Sequence, residues 1–368
     1  MASRLTVVYR VRGSAASAAE RAEALAVEQS VEMPVSAIAD AYVREQIVGR
    51  VLGIDQVDDE VHDVRIGLAP ETIGDDAGQL FNMLFGNSSL LDDVVLQDVD
   101  LPDDLVRAFG GPRHGIDGLR RRIGGRRRAL TGSALKPQGL PPDDLARLAA
   151  RFAQGGIDVV KDDHGLADQA YSPFAARITA VAAALRDVAD RTGHRTCYVP
   201  SVSGDLDRCS RQIDLARGEG LDTVMVAPMI AGPANVQALV RRYPDIAFIA
   251  HPTLAGAARL APLVLYGRLF RLIGIDGVIF PNHGGRFGYS ADTCRALADA
   301  ARGPWRDLAP VLPIPAGGMT PDRAGEMLDF YGRDVLLLIG GALLRAGDRL
   351  IDATAAFVRA VDAHTYGD

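Results

Sequence analysis

From about residue 129 the chain alternates short apolar runs with longer amphipathic stretches, eight times over. The runs cover residues 129–135, 157–160, 196–202, 222–227, 246–250, 276–280, 311–316 and 334–339. Each is too short for a helix and is bounded by Gly, Pro or polar residues, the pattern of a strand buried in a parallel sheet. The stretches between them include DDLARLAARFAQGG, PFAARITAVAAALRDVADRTG and PDRAGEMLDFYG. Several open on an Asp or Ser cap, or on Pro in the first turn, as helices do. Eight strands, each followed by a helix, predict an α/β fold of the (β/α)8 TIM-barrel type over residues 126–368. A doubly wound open sheet competes, but it more often has five or six strands.

Residues 1–125 follow another order. TVVYRVRG reads as a strand, SAAERAEALAVEQS as a helix, and VLGIDQVDDEVHDVRIGLAP as two strands joined by a turn. DDAGQLFNMLFG reads as a second helix and DDVVLQDV as a last strand. This order predicts a ferredoxin-like α+β domain ahead of the barrel. The basic run LRRRIGGRRR at 119–128 lies near the junction. It reads either as a solvated helix and turn or as a phosphate-binding segment.

Charge and cysteine usage narrow the function classes. A net charge of −7 argues against non-specific nucleic-acid binding. Cys197, Cys209 and Cys294 form no CxxC pair and are odd in number, which fits a reduced, cytoplasmic chain. The opening MASRLTVVYRVRG has no apolar run of signal-peptide type, and no segment approaches the roughly 20 apolar residues that cross a bilayer.

Of the 40 basic residues only Lys136 and Lys161 are lysines. Under a bias toward arginine, an ordinary surface lysine is easily replaced. A lysine that must react as a neutral amine is not, because arginine does not deprotonate at working pH. Both lysines fall where barrel catalysis is expected, at the strand ends that lead into the βα-loops. Strand one ends at Lys136-Pro137-Gln138 and strand two at Lys161-Asp162-Asp163-His164. Strand five ends at His251, strand six at Pro281-Asn282-His283 followed by Gly284-Gly285, strand seven at Gly317-Gly318 and strand eight at Gly340-Gly341. The diglycines after strands seven and eight suit a phosphate cradle of backbone N–H groups. On an extended strand end Lys161 and Asp163 share a face, with His164 joining them as the chain turns. One reading of Lys161 is a plain ion pair. The other is addition of CO2 to its amine, giving a lysine carbamate that binds Mg2+ together with Asp163 and so stabilises an enolate.

Several motifs carry a family resemblance. GGIDVVKDDH resembles the GG-x-D-x-x-K-D-D-E motif of RuBisCO large chains, and FGGPRHGIDGLRRRIGGRRRALTGSALKPQGL is similar to the segment leading to their K-P-K lysine. NMLFGN, IAFIAHP, PIPAGGM and LLLIGGAL match further family segments in order. The resemblance implies Lys136 as the enolising acid or base, Lys161 as carbamylated metal ligand and Asp163 as metal ligand. It also implies substrate contacts from His251, phosphate held by Gly317, Gly318, Gly340 and Gly341, and a homodimer in which Asn87 and Glu28 reach the partner's site. The departures are as telling. His164 stands for the last glutamate of the motif, which weakens the Mg2+ site. Gln138 stands for the second lysine of K-P-K. No lysine follows Lys161, so the CO2-holding lysine of the loop after strand six is missing. The strand-six histidine is replaced near Pro281, with His283 as a partial substitute.

These losses exclude carbon fixation and imply a RuBisCO-like protein acting on a phosphorylated keto-sugar acid through an enolate. The leading expectation is decarboxylation, or hydrolytic carboxyl transfer, of 3-oxo-isoapionate 4-phosphate, because a β-keto carboxylate needs less metal charge. The alternatives are the 2,3-diketo-5-methylthiopentyl-1-phosphate enolase of methionine salvage or another sugar-phosphate isomerase, a Schiff-base aldolase using either lysine, and a non-catalytic binding protein.

Overall fold

The computed structural model describes residues 3–125 and 127–366. The first unit is a four-stranded antiparallel sheet of β1 (Leu5–Arg12), β2 (Arg50–Asp58), β3 (Val61–Leu68) and β4 (Val95–Asp100), in the order β2-β3-β1-β4. Alternate residues of β1, namely Leu5, Val7, Tyr9 and Val11, are fully buried, as a half-covered strand requires. The helices Ala15–Glu28 and Ala77–Phe85 supply the covering face. This is the ferredoxin-like order the sequence predicts.

The second unit is an eight-stranded parallel sheet: β5 (Leu130–Leu135), β6 (Val159–Asp162), β7 (Cys197–Val199), β8 (Thr223–Val226), β9 (Ala247–Ala250), β10 (Gly277–Pro281), β11 (Leu312–Ala316) and β12 (Leu336–Leu338). β12 pairs with β5, and a bridge between Ser201 and Met225 joins the ends of β7 and β8, so the sheet closes into a barrel. A helix follows every strand. After β9 it begins as a π-helical stretch, Leu263–Leu269. All eight sequence runs become these strands, most of them trimmed, while β6 and β10 run on beyond theirs to Asp162 and Pro281. No described helix is long and apolar enough to cross a membrane.

Two apolar clusters divide the barrel. One lies between strands and helices. The other fills the lumen with Leu130, Val159, Val199, Met225, Ile249, Ile279, Ile314 and Leu338. The helix Gly115–Arg122 adds Ile116 and Leu119 to that lumen, with Ile123 just beyond it, and so stoppers the base of the barrel. This assigns the basic run. Arg120 bonds Asp334, ahead of β12, and Arg122 bonds the carbonyls of Asp222 and Asp245, ahead of β8 and β9. These arginines tie the stopper to the strand starts, at the end away from the mouth, so they form no phosphate site there. Residue 126 of the run lies outside the described residues.

Candidate active site

Side chains alternate along β6. Val159 points into the lumen, so Lys161 and Asp163 follow it up the same inner face, and Asp162 turns toward the helices. β5 pairs with β6 in the register Ala134↔Lys161 and Leu135↔Asp162. Carried one step further, that register sets Lys136 beside Asp163. The Lys136 ammonium lies 2.6 Å from Asp163 Oδ1, and His164 Nδ1 lies 3.4 Å from the same oxygen. The ion pair expected of Lys161 thus belongs to Lys136. The Lys161 amine donates instead to the carbonyl of Asp162, at 2.9 Å.

The electrostatics follow from this packing. Burial pushes the Lys161 amine down to about 8, with Asp163 opposing and Lys136 reinforcing the shift. Burial works against ionisation of Asp163, but hydrogen bonds from His164 and Lys136 outweigh it and hold the carboxyl well below its ordinary range. His251 is pushed down to about 2 by burial and by the nearby Lys161. It is therefore neutral. Thr253 donates its backbone N–H to His251 Nδ1 at 3.2 Å, which leaves the imidazole proton on Nε2. The His251 ring stacks on that of His164 with centroids 4.6 Å apart. Lys136, Lys161, Asp163, His164 and His251 therefore form one cluster.

The diglycines frame it. Gly317 and Gly318 have φ of +84° and +76°, a backbone that other residues rarely adopt. A methyl added at Gly340 would lie 3.9 Å from Lys136 Cε, so the loop after β12 borders the first lysine. Gly285, after β10, packs directly on the Gly317-Gly318 backbone: a methyl there would stand 2.4 Å from the Gly317 carbonyl oxygen. Gln138 lies over Gly165 in the loop after β6.

Two expected contributors stand apart. The His283 ring packs on Phe330 of the helix Ala324–Tyr331, centroids 4.5 Å apart, and its Nε2 is buried without a hydrogen-bond partner. It faces the helical layer, not the lysines, because that helix offers it an aromatic surface. Asn87 is exposed on the small domain, where it donates to Glu28 at 2.8 Å and Glu32 at 3.1 Å. Sequence reasoning missed Thr253, which sets the His251 tautomer, and placed Gly284-Gly285 at this face without giving Gly285 a role.

Among the described residues no three His, Cys, Asp or Glu side chains converge as a metal site. Asp163 and His164 bring two potential donors together.

The ribulose bisphosphate carboxylase large chain, catalytic domain, matches residues 115–367. The chain belongs to this RuBisCO family. This RuBisCO-like protein is 58% identical over 362 residues to a 5-methylthioribulose-1-phosphate isomerase of Rhodospirillum rubrum, covering 98% of this chain and 97% of that one. It is 33% identical over 311 residues to a 2,3-diketo-5-methylthiopentyl-1-phosphate enolase of Geobacillus kaustophilus, covering 82% and 75% respectively. The crystal structure of a Rubisco-like protein from Rhodopseudomonas palustris superposes with a TM-score of 0.93 at 47% identity, over the whole of both chains.

Proposed function

We propose that this RuBisCO-like protein isomerises a phosphorylated keto-sugar of the 5-methylthioribulose 1-phosphate class by moving a proton beside the carbonyl. The relatives' names favour this reading, and the enolase after it, over decarboxylation of 3-oxo-isoapionate 4-phosphate. One observation carries it: the Lys136 ammonium, 2.6 Å from Asp163, sits beside both the amine of Lys161 and the glycine loop after β12.

The roles follow from that arrangement. Backbone N–H groups of Gly317, Gly318, Gly340 and Gly341 hold the phosphate, which brings the adjacent carbons to Lys136. Lys136 exchanges a proton with carbon or oxygen of the substrate, and Asp163 fixes its position. His251, neutral and protonated on Nε2, donates a hydrogen bond to a substrate oxygen. Lys161, Asp163 and His164 would hold Mg2+ once Lys161 carries a carbamate. Bound there, the cation would polarise the carbonyl oxygen and favour the enolate. Asn87 and Glu28 complete the partner's site in a homodimer, in keeping with the exposure of Asn87, which bonds Glu28, on the small domain.

The test is an assay of purified protein with 5-methylthioribulose 1-phosphate in D2O. Isomerised product carrying solvent deuterium on carbon is the expected result. Parallel reactions contain the diketo phosphate and 3-oxo-isoapionate 4-phosphate. Release of CO2 from the last, with no turnover of the first, would overturn the proposal. Borohydride inactivation that depends on substrate would instead reveal a Schiff base.

A further inference from the structure

Behind Lys161, on the helix side of β6, lies a polar cluster for which the proposed chemistry has no use. Asp162 and Arg177 are fully buried and Tyr198 is 2% exposed. Tyr198 Oη donates to Asp162 Oδ1 at 2.7 Å. Ser201 N–H and Arg177 Nε donate to Oδ2 at 3.1 and 3.2 Å. Arg177 spends its remaining nitrogens on the carbonyls of Ser172, at 2.8 Å, and Ala167, at 2.7 Å. One carboxylate thus gathers the end of β6, the end of β7, the helix Phe174–Thr192 and the loop that carries Asp163 and His164.

Such a set is a poor device for stability alone. Apolar residues of similar volume usually stabilise a core as well as a buried ion pair does, or better. What a fully satisfied polar network supplies is one fixed geometry. Here the geometry has a visible product. With its side chain pinned on the outer face, Asp162 presents its carbonyl to the mouth, and that carbonyl holds the Lys161 amine at 2.9 Å. Asp163, meanwhile, is taken by Lys136.

We infer that Asp162, held by Arg177, Tyr198 and Ser201, is the positioning residue for Lys161. The inference rests on reading Lys161 as the reactive lysine. Loosening the network frees the amine to swing from the Asp162 carbonyl toward Asp163, away from the position in which the carbonyl now holds it for an electrophile.

The scarcity of lysine makes this measurable without turnover. Potassium cyanate adds to free amines, and peptide mass spectrometry resolves Lys161 from Lys136 in the full chain. Tyr198→Phe removes one hydroxyl and keeps the ring, so it is the mildest cut. Arg177→Met is the severe one. The expected result for Tyr198→Phe is at least a fivefold fall in the ratio of Lys161 to Lys136 labelling. In the isomerase assay kcat should fall at least tenfold with KM within twofold. An unchanged labelling ratio in a Tyr198→Phe protein with wild-type circular dichroism overturns the inference, whatever Arg177→Met does. A fallen ratio in a protein that turns over no methylthioribulose phosphate leaves the positioning role standing and removes only the proposed activity.

Discussion

Gly285→Ala offers a sharp test of the phosphate cradle, because its effect must be purely steric. Gly285 is not among the glycines with positive φ, so alanine meets no backbone strain at that position. Its methyl would nevertheless lie 2.4 Å from the Gly317 carbonyl oxygen and 3.0 Å from that of Asn282. Both atoms are backbone and cannot rotate away. Restoring an ordinary contact requires the Gly317-Gly318 loop to retreat by roughly 1 Å. A misplacement of that size in a positioned site costs on the order of 100-fold in rate, or about 2.7 kcal/mol of transition-state stabilisation. Steady-state kinetics with the methylthioribulose phosphate should therefore show kcat/KM down by about that factor, and inorganic phosphate should inhibit less tightly. Gly325→Ala, with no atom within 4 Å of the added methyl, is the control and should behave as wild type. A Gly285→Ala enzyme with wild-type kcat/KM and phosphate inhibition would refute the assignment of this loop as the phosphate grip.

Three more outcomes are expected. Lys161→Arg should fold normally by circular dichroism but lose turnover, because guanidinium neither deprotonates nor accepts CO2; retained activity would remove Lys161 from the chemistry. Asp158→Ala should lower the unfolding free energy in urea by about 3–5 kcal/mol. Asp158 is fully buried and takes two donors from Arg128, at 2.6 and 3.3 Å, besides the N–H and hydroxyl of Thr131. Burial pushes the thiols of Cys197 and Cys209 up, to about 12 and about 11, and raises that of Cys294 too. A thiol whose pKa is raised is protonated below that value, so native protein at pH 8 should not react with a disulfide reagent, while urea-unfolded protein should release three equivalents.

Much of this was written locally in the sequence. The eight apolar runs mark strands because burial on both faces leaves no polar position to spare. The KDDH segment reveals its inner face because strand alternation is a property of the backbone. The scarcity of lysine singled out Lys136 and Lys161 before any fold was known. What sequence could not supply was long-range partnership. Lys136 and not Lys161 holds Asp163 because of the register between β5 and β6, which neither strand encodes alone. Arg177 is one arginine among many, and only the packing of its helix brings it to Asp162. His283 turns from the mouth because Phe330, 47 residues away in the chain, gives its ring a surface. In one dimension the arginine-rich run read as either a solvated helix and turn or an anion site. In three it is the collar around the barrel's stopper.

That stopper has a consequence for traffic. With Ile116, Leu119 and Ile123 packed at the base and branched side chains filling the lumen, the described residues close the barrel at the end away from the lysines. Under the proposed chemistry, substrate, product, any CO2 bound for Lys161 and any exchanged proton would all cross the opposite rim. Entry and release therefore compete for one passage, and whatever element lies across that rim governs both at once.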